Sequence, residues 1–367
     1  MKNIILIPLS WIYSIVTYIR NLLYDYNLIN STEYSQPIIS IGNITVGGTG
    51  KTPHTEYLIE LLKQKFKVAT LSRGYKRKTS GFLEVTNEST AQEVGDEPLQ
   101  MKTKHKDVIV SVDEQRVRGI DILLSKEKEL CPDIILLDDA FQHRKVNPGL
   151  HILLTDFNRL ITRDHILPYG RLRESARERY RAQIIIITKC PRVIKPIEER
   201  LIIKELDIKP FQSLFFTTLK YGFLQPALKN QKGVEHSLKG KEILLFTGIA
   251  NPTPLVDYLK SQEAEVTLLE FPDHYQFKKS DFENIVNQWE KLSSQEKLIL
   301  TTDKDLMRVK DIEGLPLAIE ENLYTIPLEI EFIGENKNYF DTKIMRYVSE
   351  NTSNFNISTK QFRASPS

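Results

Sequence analysis

An α/β fold is predicted: a mainly parallel sheet flanked by helices, with a second, smaller α/β domain joined to it by a short β hinge. Short apolar runs recur through residues 37–188, each bounded by turn residues and separated by helix-length stretches, which is the pattern of βα units. One of these runs enters a glycine-rich turn that opens a helix. After residue 210 the texture changes: a β-like run (211–222) and a polar linker (229–241) precede a fresh αβ series.

The organising stretch is residues 40–53. Pro37–Ile41 reads as a strand, residues 45–50 as a glycine-rich loop, and Thr55–Gln64 as the following helix. Between them stands Gly50-Lys51-Thr52. Strand, loop, Gly-Lys-Thr and helix together make a P-loop, in which backbone N–H groups wrap a polyphosphate, the lysine meets the β/γ-phosphates and the threonine holds Mg²⁺. The cradle is expected to comprise Thr45, Val46, Gly47, Gly48, Thr49, Gly50, Lys51 and Thr52. The usual spacing puts a first glycine at position 45, where this chain has Thr45, so Gly47 and Gly48 must supply the tight turn.

At 367 residues there is room for two domains, with 27% charged and 41% hydrophobic residues in ordinary globular proportion. A formal charge of +2 argues against bulk nucleic-acid binding. Cys131 and Cys190 lack metal-like spacing and suit a reducing cytosol. Residues 4–19 are almost uncharged, yet shorter than a spanning helix needs. Ser10, Ser14, Thr17 and Asn21 form a narrow polar stripe along them. Two readings stand: a helix lying in a membrane interface, or one docked on its own domain.

In chain order, Phe66–Ser72 is a second strand, ending in Arg73, Gly74, Tyr75 and further cations, where open sheets bind ligands. These residues could hold an anionic substrate or form a solvated turn. Asp96 and Glu97, between Gly95 and Pro98, suit a fixed loop near metal or substrate, or an acidic helix start. Asp107–Val112 is a strand, followed by Arg116 at a helix start. Asp133–Leu137 ends in Asp138 and Asp139, and an apolar strand ending in aspartates is the pattern that carries a carboxylate to Mg²⁺ opposite the P-loop threonine. Strands at 151–155 and 183–188 flank a proline-glycine turn rich in arginines, including Arg171 and Arg173, that suits phosphate contacts. Strands near 242–248, 266–270 and 297–302 build the second domain, and 323–332 is expected to pair back on 211–222 as the hinge. The map is an amino-terminal helix (1–30), a P-loop domain (31–225), a second domain with the hinge strand and carboxyl-terminal helix (226–350), and a flexible tail (351–367).

Assembled, the motifs resemble the tetraacyldisaccharide 4′-kinase (lipid A 4′-kinase) family over nearly the whole chain. The resemblance rests on Gly42 to Thr52, Ser72-Arg73-Gly74-Tyr75, Gly95-Asp96-Glu97-Pro98, Asp138 to His143, Leu167 to Glu174, Gly248 to Pro252, Asp273-His274 and Thr302 to Asp305. Ala140, Lys76, Tyr169 and Arg171 depart from the family's usual residues. The resemblance implies an ATP-dependent kinase that phosphorylates the 4′-hydroxyl of a tetraacylated glucosamine disaccharide 1-phosphate. It further implies a monomer working peripherally at the cytoplasmic face of the inner membrane, with no nucleic-acid partner. It assigns Asp96 as base with His274 as its partner from the second domain. Lys51 and Asp139 join them as catalytic residues, Mg²⁺ falls to Thr52, Asp138, Asp139 and Glu97, and substrate to Arg73, Tyr75, Arg116, Arg171 and Arg173. Two competing readings are a nucleotide-driven ATPase switch, disfavoured because Val46 replaces its leading lysine, and another small-molecule kinase, which would leave the apolar amino terminus unused. A guanine reader is disfavoured because Thr188-Lys189-Cys190-Pro191 lacks the aspartate of Asn-Lys-x-Asp.

Overall fold

The computed structural model describes residues 2–229 and 232–363. Among the described residues fourteen strands, numbered here in chain order, form two sheets: β1 (Ile38–Gly42), β2 (Val68–Ser72), β3 (Leu83–Glu84), β4 (Ile109–Val112), β5 (Ile134–Asp138), β6 (Leu150–Asp156), β7 (Ile184–Thr188), β8 (Ser213–Tyr221), β9 (Gln225–Pro226), β10 (Glu242–Thr247), β11 (Glu265–Glu270), β12 (Lys297–Thr302), β13 (Leu323–Ile326) and β14 (Leu328–Phe332). The larger sheet runs β14-β8-β7-β6-β1-β5-β2-β4-β3, and the smaller β11-β10-β12-β13-β9. In the larger sheet β8 through β4 are mutually parallel, and only the edges β14 and β3 are antiparallel. Near-continuous burial of β1, β2, β5 and β7 follows from helices covering both faces. β1 lies between β5 and β6, so the chain order reverses beside it. Loops leaving the carboxyl ends of β1 and β5 therefore open a crevice there, the place where such sheets bind ligands.

The first helix after the loop spans Lys51–Leu62, four residues earlier than the sequence reading placed it. Pro53 does not delay it, because a proline in the first turn lacks only an N–H that has no helical partner there. β8 pairs antiparallel with β14, Tyr221 opposite Leu328 and Thr217 opposite Phe332, while β13 belongs to the smaller sheet. The segment expected as one hinge strand thus divides at Pro327.

The sequence reading groups the carboxyl-terminal helix with the second domain; the structure instead seats it, as Asn336–Arg363, on the first. Phe340, Ile344 and Val348 recur every four residues and are buried in the core that holds Ile39 and Leu58. Tyr347 Oη donates to Ile38 O at 3.1 Å, and Tyr57 Oη to Asp341 at 2.5 Å. β14 delivers the chain to this sheet edge, which is why the helix lands there. The expected tail is helical through Arg363, and residues 364–367 lie outside the described residues.

The helix Lys2–Asp25 is long and apolar enough, by length and composition, to cross a membrane. Its polar stripe nonetheless faces its own domain. Ser10, Thr17 and Asn21 are buried. Ser10 Oγ donates to Ile166 O (3.1 Å) and accepts from Tyr169 N (2.9 Å), and Arg144 donates to Asn21 O (2.9 Å). Leu9, Trp11, Ile12, Ile15, Val16, Tyr18 and Ile19 point away, exposed.

Candidate active site

The phosphate-loop segment begins where β1 ends. A Cβ at Gly42 would sit 2.9 Å from Phe141, so only glycine lets the chain pass. Asn43, fully buried, donates to Thr49 Oγ1 at 2.6 Å and closes the loop across its base. Gly47 (φ +107°) and Gly50 (φ +86°) take left-handed angles that a side chain would strain. Thr45 stands where a glycine is usual, and its backbone forms a β-bridge to Leu172, with Val46 N donating to Arg171 O at 2.8 Å.

β5 delivers the two aspartates, and their environments separate them. Asp138 is buried and accepts from Thr55 Oγ1 at 3.1 Å. Burial pushes its carboxyl up to about 7; Glu97 and Asp139 add repulsion, and Lys51 opposes. Asp139, at φ +47°, faces Lys51 Nζ (3.7 Å) and Arg173 Nη2 (3.1 Å). Burial alone would raise its pKa, but these two cations hold it below the ordinary carboxylate range. Arg173 also bonds Asn43, which links the arginine turn to the base of the loop.

The second domain reaches in from the opposite side. His274 follows β11 in a left-handed conformation (φ +61°), its N–H bonded to Gly248 O. Its Nδ1 lies 3.2 Å from Asp96 Oδ2, and Arg308 Nε lies 3.3 Å from the same oxygen. Arg308 is itself fixed, donating to Tyr275 O (2.7 Å) and to Asp305 (2.8 Å). Lys304 Nζ sits 3.3 Å from Glu97 and 3.4 Å from His274 Nε2. Lys104 bridges Glu56 (3.0 Å) in the first domain and Asp303 (2.7 Å) in the second, joining the domains beside the cleft.

Arg73, Tyr75, Asp96, Glu97, Asp138, Asp139, Arg173 and His274 therefore line one cleft of about 170 Å³, with Ser72, Gly74, Pro98 and His143. Lys51 reaches its floor through Asp139. Burial, aided by Arg116, pushes His143 down to about 4, so it is an uncharged wall. Two expected substrate residues lie elsewhere. Arg116 is buried behind the cleft, donating to the carbonyls of Asp113 and Asp138, where it braces the strand end. Arg171 is exposed and contributes its backbone to the loop. Sequence reasoning passed over Asn43, Thr55 and Arg308. Thr55 is one helical turn beyond Lys51, a spacing that places both on one face. Asn43 and Arg308 carry no local signal, because their partners come from other segments.

A polyphosphate, a divalent cation and an alcohol could be gathered here. Among the described residues no three His, Cys, Asp or Glu side chains form a ready-made metal cage. The crowded oxygen donors around Asp138 fit Mg²⁺, which takes one or two carboxylates and completes its shell with phosphate and water.

A sequence profile of tetraacyldisaccharide-1-P 4′-kinase matches residues 2–348. The chain belongs to this kinase family. A tetraacyldisaccharide 4′-kinase of Bacteroides thetaiotaomicron is 46% identical over 97% of this chain and 96% of its own, and one of Parabacteroides distasonis is 44% identical over 97% of each. A crystal structure of an "apo" form LpxK from Aquifex aeolicus in complex with ATP superposes with a TM-score of 0.73 at 29% identity, covering 95% of this chain and all of that one. A member of the tetraacyldisaccharide 4′-kinase family is an ATP-dependent phosphotransferase acting on a sugar hydroxyl, which matches a cleft between a phosphate-loop segment and a carboxylate–imidazole pair.

Proposed function

We propose that the protein transfers the γ-phosphoryl group of ATP to the 4′-hydroxyl of a tetraacylated glucosamine disaccharide 1-phosphate, with Asp96 as the base. The observation that carries this reading is the convergence of Asp96, Asp138, Asp139 and His274, from separate loops and two domains, on one cleft beside Lys51. Phosphoryl transfer needs alignment and charge neutralisation more than covalent chemistry. Residues 45–52 cradle the phosphates, with Lys51 on the β/γ-oxygens. Asp138 with Thr52 is the proposed pair for Mg²⁺, and Glu97 lies beside it. Asp139 is already engaged by Lys51 and Arg173 and keeps both cations aimed into the cleft. When bound, Mg²⁺ would offset negative charge on the phosphates. Asp96 Oδ2, oriented by His274 and Arg308, accepts the proton of the sugar hydroxyl. Arg73, Tyr75 and Arg173 are placed to meet the substrate's polar face. Incubating the protein with γ-labelled ATP and a lipid disaccharide monophosphate, beside a water-only control, tests this. Label in the lipid is expected, and release of phosphate alone would leave an ATP-hydrolysing switch as the reading.

We further propose that the helix Lys2–Asp25 holds the enzyme peripherally on the cytoplasmic face of the inner membrane. Burying an aliphatic side chain yields about 1.5–3 kcal/mol, and a docking hydrogen bond about 1 kcal/mol. Seven outward-facing large apolar side chains therefore outweigh the few bonds on the inward stripe. The helix has reason to meet lipid with one face while the other stays on the protein. Deleting residues 1–24 is expected to move the protein from vesicle pellet to supernatant in a sedimentation assay; continued pelleting would place the anchor elsewhere.

A further inference from the structure

We propose that His54 and Lys189 are positioning residues that grip the phosphate loop from behind and fix the orientation of its peptide groups before ATP arrives. This rests on the reading of residues 45–52 as the ATP cradle. In a trans peptide the carbonyl of one residue and the N–H of the next point in opposite directions. Pulling the Gly48 and Gly50 carbonyls one way therefore turns the Thr49 and Lys51 amides the other way, toward an anion in the loop.

Both carbonyls are held. Gly50 O lies 2.7 Å from His54 Nδ1, closer than the 3.4 Å to the backbone N–H of His54. A carbonyl only accepts, so Nδ1 carries the proton. Burial pushes the His54 pKa down to about 4, leaving one ring proton, and Nε2 then accepts from the Thr217 hydroxyl at 3.0 Å. Thr217 is fully buried in β8, so the imidazole is anchored to the sheet. Gly48 O accepts from Lys189 Nζ, and Asp156 Oδ2 holds the same ammonium at 2.8 Å. Lys189 follows β7 and Asp156 ends β6, so this grip also springs from strand ends. Packing does not do the same work. A Cβ built on Gly47 or Gly48 would meet nothing within 4 Å, and both glycines are exposed. The contacts at the base of the loop do not reach the Gly48 and Gly50 peptides, and donors ordered in advance bind more tightly because less freedom is lost on binding.

Calorimetric titration of the full chain with Mg²⁺ and the non-hydrolysable ATP analogue AMP-PNP tests the idea. His54→Ala and Lys189→Met should each weaken binding by about tenfold, the value of one net hydrogen bond. In turnover assays KM for ATP should rise more than kcat falls. His54→Asn, whose amide can donate from the same place, should recover affinity to within about threefold. Thr217→Val should move affinity in the same direction as His54→Ala, and Thr217→Ser should restore it. Lys51→Ala is measured beside them. If Lys51→Ala leaves affinity intact, the cradle reading fails and the inference falls with it. If Lys51→Ala weakens binding while the His54 and Lys189 variants do not, the inference alone is overturned. Lys189 is a third exposed, so Lys189→Met decides the matter even if the buried His54→Ala variant fails to fold.

Discussion

Asp96→Asn is expected to lower kcat by about 10³-fold while AMP-PNP affinity stays within about threefold of the parent. Asparagine keeps the shape and can still accept from His274 Nδ1, but it can neither take a proton nor carry the charge that faces Arg308 at 3.3 Å. The Asp96 carboxylate stands at the amino terminus of the helix Asp96–Lys104, opposite the P-loop rather than in it, so nucleotide binding should be spared. The check is a paired measurement: steady-state turnover with the lipid acceptor, and titration with the analogue. Turnover within about tenfold of the parent would remove Asp96 from the role of base. A parallel collapse of nucleotide affinity would instead make it part of the ATP site.

His274→Ala is expected to reduce kcat by about 10²-fold with little change in KM for ATP. The Nε2 of His274 faces the ammonium of Lys304 at 3.4 Å, and an ammonium only donates. Nε2 therefore accepts, and the ring's proton on Nδ1 points at Asp96, holding that carboxylate in one orientation. His274 sits at φ +61°, where alanine adds strain of its own. His274→Asn separates the two effects, since asparagine tolerates that region and keeps a short donor. A smaller loss for asparagine than for alanine supports positioning through the hydrogen bond. Equal rates for parent and both variants would mean that the second domain supplies no group to the chemistry.

The P-loop, the aspartates closing β5 and the succession of apolar strands along the chain were legible in the sequence because each is written in consecutive residues: an apolar run, a glycine turn, a charge at a strand's end. The carboxylate–imidazole pair was reached through family resemblance alone. Asp96 and His274 are 178 residues apart, and nothing local to either says that they meet. Arg116 shows the opposite error. The resemblance assigns Arg116 to the substrate, yet tertiary packing turns it inward to brace the carbonyl of Asp138. The carboxyl-terminal helix was misassigned for a related reason. Which sheet it covers is decided by β14, whose pairing with β8 the sequence reading anticipates, but no local pattern says that the chain leaving β14 packs back on the larger sheet. Sequence periodicity specifies a face and leaves its partner open.

The antiparallel pairing of Tyr221 with Leu328 has one more consequence. The polypeptide leaves the larger sheet and re-enters it at adjacent points, so the smaller sheet is an excursion from a continuous body rather than a bead on a string. Truncation from either terminus cannot remove it cleanly, whereas a short splice between those two neighbours could. Such a splice would discard His274, Lys304 and Arg308 while keeping the glycine-rich loop, Asp138, Asp139 and the whole nine-stranded sheet. On the proposed reading, nucleotide capture and hydroxyl activation would then be separable by one genetic cut, which makes this protein a convenient subject for asking how a phosphate-binding body acquires an acceptor-activating arm.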